Sequence, residues 1–116
     1  MVYDYVNTQI ERSVKRMIKV IDREINCAYH YNEPNVSKVA EAYIRKYLVI
    51  SNPRYPTSKL KLLCTTSYLI ALKYLLDNCP TMNDYSNIVN ISSDSIVAKE
   101  LQIGDSFSFN FTPILD

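Results

Sequence analysis

The chain of 116 residues contains one glycine, one histidine and no tryptophan. A single glycine leaves no material for phosphate-cradling loops or flexible linkers, which disfavours nucleotide binding and disorder. The one histidine, His30, stands in a loop-like Tyr29-His30-Tyr31 and reads as a surface residue, so acid–base and nucleophilic catalysis lack the convergent groups they need. Cysteine is also sparse. Cys27, Cys64 and Cys79 are odd in number, and no second Cys or His stands at a ligand spacing from any of them. They read as reduced, packed thiols rather than a disulfide framework or a metal site.

An excess of one sign of charge is missing as well. Lys and Arg number 13 against 12 for Asp and Glu, a formal net charge of +1, with the basic residues scattered among acidic ones in the first half. Neither nucleic acid nor an anionic membrane is favoured by that balance. Long hydrophobic runs are absent: the longest uncharged helical stretch, Leu62 to Leu72, is too short to span a bilayer. The first residues, Met1-Val2-Tyr3-Asp4-Tyr5, lack the basic segment and apolar stretch of a secretory signal. The Asn-x-Ser/Thr triplets at Asn35, Asn90 and Asn110 therefore carry no weight, and a cytoplasmic or nuclear protein is expected rather than a secreted one. The length suits one domain over residues 1–116, with one core.

The residues that are present pattern as helices. Thr8-Gln9-Ile10-Glu11 has the form of a capping box, followed by Ile10, Val14, Ile18, Ile21 and Ile25 at spacings of three and four. That predicts an amphipathic helix over about 8–27 with Lys15, Arg16, Lys19 and Arg23 on its wet side. Pro34 opens a second over 34–50, whose stripe is Val36, Val39, Tyr43 and Tyr47, with Glu41 and Arg45 as an i,i+4 pair. After the proline-marked loop of residues 51–56, Thr57 or Ser58 caps a third over 58–77. This helix carries one charge, Lys73, between Lys61 and Asp77 and is apolar or small on all faces, as a central helix wrapped by others must be. A short fourth (81–88) and a fifth (93–107), capped by Ser92 or Ser93 and bearing Ile96, Ile103 and Phe107 on one face, complete an all-α five-helix bundle. The closing Phe107 to Pro113 run alternates apolar and polar residues and is expected as an extended tail laying its phenylalanines on the bundle. The 10 tyrosines are expected at the core boundary, rings inward and hydroxyls outward.

Two charges stand out. Glu100 lies four residues after Ile96 and three before Ile103, on the inward stripe, where a carboxylate needs a partner. Lys73 is the lone charge of the central helix, near the end where the helix dipole favours a cation. On physical grounds, either Lys73 snorkels to water while Glu100 sits at an edge, or both reach one shared surface and anchor a protein partner.

The segment Lys59-Leu60-Lys61-Leu62 through Leu69-Ile70-Ala71-Leu72-Lys73-Tyr74 resembles the third helix of the cyclin box, with its K-L-x-L, small-residue stretch and L-I-A-x-K-[YF]. The continuation keeps order: Asp77, then Tyr85-Ser86-Asn87-Ile88-Val89-Asn90-Ile91-Ser92, then Glu100-Leu101, then Phe107 to Pro113. These are similar to the K-x-L-D-D, Y-x-x-V-G-G-I-S, L-E and L-x-F-x-L-x-x-T-P landmarks of P/U-type (PHO-type) cyclins. Upstream, Ala42 to Leu48 is similar to the end of the second cyclin-box helix.

The resemblance implies a five-helix cyclin box and a non-enzymatic subunit that binds and activates a cyclin-dependent protein kinase, without cofactor, metal, nucleic acid, membrane or small-molecule substrate. It also implies that Lys73 and Glu100 contact the kinase, flanked by Tyr74, Asp77 and Ile103. Arg45 and Lys46 stand where the family has an Asp-Arg pair, Leu76 where it has the first Asp of L-D-D, Thr81 and Met82 where it has an Asn-Asn pair, and Val89-Asn90 where it has Gly-Gly. The alternative is a cyclin-fold adaptor or decoy that holds a non-kinase partner, or a kinase without activating it. Gly104, inside the fifth helix, costs about 1 kcal/mol relative to Ala and is expected at a close helix crossing.

Overall fold

The computed structural model describes residues 5, 8–31, 33–51 and 55–113. Residues 1–4, 6–7, 32, 52–54 and 114–116 lie outside them. The described chain is all α: α1 (Thr8–Tyr29), α2 (Val36–Ser51), a single 3-10 turn (Thr57–Lys59), α3 (Leu60–Leu75), α4 (Met82–Val89) and α5 (Ser93–Ser106).

Apolar spacing decides which face each helix buries. Ile10, Val14, Ile18, Ile21 and Ile25 of α1 are all buried, while Lys15, Arg16, Lys19 and Arg23 are exposed. On α2 the stripe Val36, Val39, Tyr43 and Tyr47 is buried likewise. Every residue of α3 from Leu63 to Leu72 is buried, and this helix packs on α1, α2 and α5 more extensively than any other. It is the axis of the bundle, and among the described residues no helix is long and apolar enough to cross a membrane.

Helix starts differ in part from expectation. Pro34 lies in a turn, and α2 begins at Val36 with the Val39 amide donating to the Asn35 carbonyl at 2.9 Å. Neither Thr57 nor Ser58 caps α3; both belong to the 3-10 turn that leads into Leu60 without a side-chain cap. The caps of α4 and α5 form as their residue types dictate: Thr81 Oγ1 accepts from the Asp84 amide at 3.2 Å, and Ser92 Oγ from the Ser95 amide at 3.3 Å. Asn90 closes α4 in the left-handed region at φ 57°, which asparagine tolerates as a stand-in for glycine.

Side-chain pairings differ more. Glu41 turns from Arg45 to α1, its Oε1 accepting from Lys15 Nζ at 3.2 Å and the Tyr5 hydroxyl at 2.8 Å, while the Arg45 guanidinium sits 5.6 Å from the centre of the Tyr5 ring. Three tyrosines bury their rings and spend their hydroxyls on protein acceptors, Tyr85 wholly inside and Tyr43 and Tyr68 at the core boundary. Tyr43 donates to the Phe111 carbonyl at 2.6 Å, Tyr68 to Asp22 Oδ1 at 2.6 Å and Tyr85 to the Thr65 carbonyl at 2.6 Å, tying α2 to the tail, α3 to α1 and α4 to α3. The cysteines are free, but only Cys64 is packed away; Cys27 is exposed and Cys79 half-buried.

Candidate functional site

Lys73 closes the last turn of α3, and Glu100 lies midway along α5 on the flank of its buried stripe. Packing of α5 on α3 brings the two together: Lys73 Nζ donates to Glu100 Oε2 at 2.7 Å. The side chains are 46% and 25% exposed, so the pair sits at the surface rather than in the core. An ion pair so wet contributes only about 0–1 kcal/mol to folding. Its chemistry is turned outward, because an ammonium has three donors and this bond uses one.

The surroundings are apolar. Ile70, Tyr74, Leu101, Phe109 and Phe111 line, with the pair, a groove of about 390 Å³. Tyr74 is 49% exposed, Leu101 60% and Phe109 63%, and the exposed Val97 precedes Leu101 by one turn of α5. A polar anchor ringed by large exposed apolar side chains has the anatomy of an interface core, where a partner excludes water around a few charged contacts.

One wall of the groove comes from the tail. Instead of an extended run, residues 107–109 form a turn in which Ser108 and Phe109 both take left-handed dihedrals, φ 52° and 55°. The Phe109 amide donates to the Gly104 carbonyl at 2.7 Å, and its ring lies against Gly104. The close approach at this glycine is therefore made by an aromatic ring and not by a crossing helix. Phe107 and Phe111 pack inward on Tyr43, with ring centres 6.1 and 5.9 Å away, and leave Phe109 outside.

The five residues singled out by sequence fare differently. Lys73, Glu100 and Tyr74 share the groove. Asp77 is exposed in the bend beyond α3, which stops at Leu75, and its carboxylate acts on the same thiol, Cys79, that Lys73 acts on. Burial raises the pKa of that thiol, Lys73 lowers it and Asp77 raises it again. Ile103, expected from the resemblance as a flanking contact, is 0% exposed and belongs to the core, as its place on the stripe with Ile96 and Phe107 requires. Leu101 and Phe109 replace it at the surface. Leu101 could have been found from its place one residue beyond Glu100, off the buried stripe; the outward turn of Phe109 leaves no mark in periodicity.

The fifth helix also holds a buried cation that periodicity does not mark. Lys99 is 7% exposed, with Nζ donating to Gln102 Oε1 at 3.0 Å and to the Tyr47 hydroxyl at 3.3 Å. The same Nζ stands 5.0 and 5.3 Å from the ring centres of Tyr47 and Tyr55. Burial pulls its pKa down, but the two tyrosines outweigh burial and hold it above the ordinary lysine value. Lys99 thus remains charged within an aromatic cradle.

Among the described residues, no group of three His, Cys, Asp or Glu is placed to hold a metal ion. His30 is exposed at the end of α1 in a left-handed conformation, φ 56°. No family model, curated protein or solved structure matches this chain.

Proposed function

We propose that this chain is a cyclin-like regulatory subunit that binds and activates a cyclin-dependent protein kinase. The observation that carries the reading is the Lys73–Glu100 pair, 2.7 Å apart and set in an exposed apolar groove. The cyclin-box resemblance assigns these same two charges to one contact site. Further support comes from the helix order around α3 and from Asn90, whose left-handed backbone serves where the family uses glycine.

In this reading the groove and its ion pair meet the movable regulatory helix of the kinase and the backbone beside it. Docking holds that helix inward, which completes the Lys–Glu pair of the kinase active site. Activation is a population shift: the subunit binds the active conformer more tightly than the inactive one. The chain itself contributes no catalytic group and needs no cofactor.

The test is affinity purification of the protein from its own cells beside Lys73→Ala/Glu100→Ala, with identification and kinase assay of what co-elutes. The expected result is an active cyclin-dependent kinase with the native chain and none with the double variant, whose melting temperature stays close to native. Recovery of an inactive kinase, or of a different protein alone, would replace this reading with that of an adaptor.

A further inference from the structure

A second groove, of about 510 Å³, runs between α1 and α2, on helices other than those that supply Lys73 and Glu100. It is lined by Lys15, Arg16, Lys19, Asp22, Ser37 and Glu41. Its carboxylates are engaged within the protein: Asp22 Oδ1 accepts from the Tyr68 hydroxyl, and Glu41 Oε1 from Tyr5 and Lys15. Arg16 and Lys19, both exposed, have no carboxylate within ion-pair distance among the described residues.

These two cations belong to a longer row. Arg12, Arg16, Lys19 and Arg23 recur at spacings of four, three and four along the exposed face of α1, and none forms an ion pair among the described residues. At 1.5 Å per residue the row is about 16 Å long, the length of a short extended peptide. Four uncompensated cations on a helix whose opposite face is fully committed to the core cost folding a little repulsion. They are free to meet an anionic ligand that spans them.

We infer that this groove and the cation row bind a phosphorylated serine or threonine segment of a partner protein. The phosphate monoester sits between Arg16, Lys19 and the Ser37 hydroxyl, and its acidic flanks run along Arg12 and Arg23. A guanidinium fork, an ammonium and a hydroxyl match the near-dianionic charge and acceptor oxygens of the phosphate, for which a single carboxylate supplies half the charge. The cations form one narrow row along α1 rather than a broad basic face, which suits a chain over a duplex or a membrane laid flat on the helix. The net charge of only +1 points the same way.

The probe is an array of phosphoserine-centred peptides with varied flanks, beside its unphosphorylated twin, overlaid with the full chain. Peptides retained are then titrated by fluorescence anisotropy against the native protein, Arg16→Gln, Lys19→Gln and Lys73→Ala/Glu100→Ala. Expected are binding of phosphorylated peptides alone, a loss of about tenfold for each α1 variant, and unchanged affinity for the Lys73/Glu100 variant. Circular dichroism checks that the α1 variants, which alter exposed side chains, keep their helices. An array that retains nothing, equal retention of the unphosphorylated twin, or affinity that survives both α1 substitutions would overturn the assignment. Tighter capture by phosphatidylserine vesicles than by any phosphopeptide would also overturn it, in favour of a membrane-facing helix.

Discussion

Gly104 lies directly beneath the ring of Phe109: a Cβ at position 104 would stand 2.5 Å from Phe109 Cε1 and 2.8 Å from Cδ1. Only the aromatic ring obstructs it, so a methyl group there displaces the ring rather than breaking the helix. Gly104→Ala gains about 1 kcal/mol of helix propensity and loses the ring contact, leaving thermal stability within about 1 kcal/mol of native. Partner affinity in the kinase pull-down should fall, as it should for Phe109→Ala. Native affinity in both variants would remove Phe109 from the interface.

Lys99 should behave as a stabilising buried charge. A pKa held above the ordinary lysine value means that the folded state favours the protonated amine more than the unfolded chain does. Its contribution is fully present below the unfolded pKa and is lost as pH rises through the folded one. Lys99→Met keeps the volume and removes the cation, and should cost about 1–2 kcal/mol from the two aromatic contacts. Urea unfolding at neutral pH measures this; a gain in stability would show that the charge is a burden.

Tyr68 offers a complementary test. Burial first, then the hydrogen bond and the charge of Asp22, raise its phenol well above the ordinary 10.0. The associated stability is complete below pH 10.0 and is lost as pH rises beyond it, where the unfolded phenol ionises and the folded one does not. Tyr68→Phe should cost about 1–3 kcal/mol at neutral pH, since it removes a hydrogen bond to a charged acceptor. It should also flatten the alkaline fall in the urea midpoint, and an equally steep fall in the variant would assign the alkaline loss to other groups.

The three thiols should react in order of exposure. Cys27 is open to reagent and should be alkylated first, with half-buried Cys79 following. Burial above all, and the charge of Glu41 second, push the Cys64 thiol up to about 12, so it should label only at the rate of global unfolding. Mass spectrometry of timed alkylation reads the order directly, and early labelling of Cys64 would mean that α3 is less protected than its packing implies.

Helix existence and the buried face of each helix were legible in the sequence because both follow from spacing alone. Ile10 to Ile25 and Val36 to Tyr47 bury as their periods require, and the near absence of charge in α3 marks it as the axis. Partner choice across helices was not legible. Glu41 prefers Lys15 and Tyr5 to Arg45, one turn along its own helix, because the α1–α2 crossing sets those distances. Lys99 is concealed for a related reason: nothing local says that Tyr47 and Tyr55 converge on it from elsewhere. At the candidate site, Lys73 and Glu100 were found as misplaced charges. Spacing put Ile103 on the inward stripe, where it lies, and only the resemblance made it a flanking contact; Phe109 was expected inward, and the left-handed turn at 108–109 reverses the alternation that the sequence suggests.

The Tyr43 hydroxyl is held by the carbonyl of Phe111, 68 positions later in the chain. During synthesis on a ribosome, α2 emerges long before that carbonyl exists, so its tyrosine must wait with its hydroxyl unpaired or wet. The groove wall built by Phe109 and Phe111 is consequently among the last parts to take shape. A nascent or prematurely terminated chain would present the Lys73 end of α3 without its aromatic wall, and would be a poor competitor for whatever the finished domain binds.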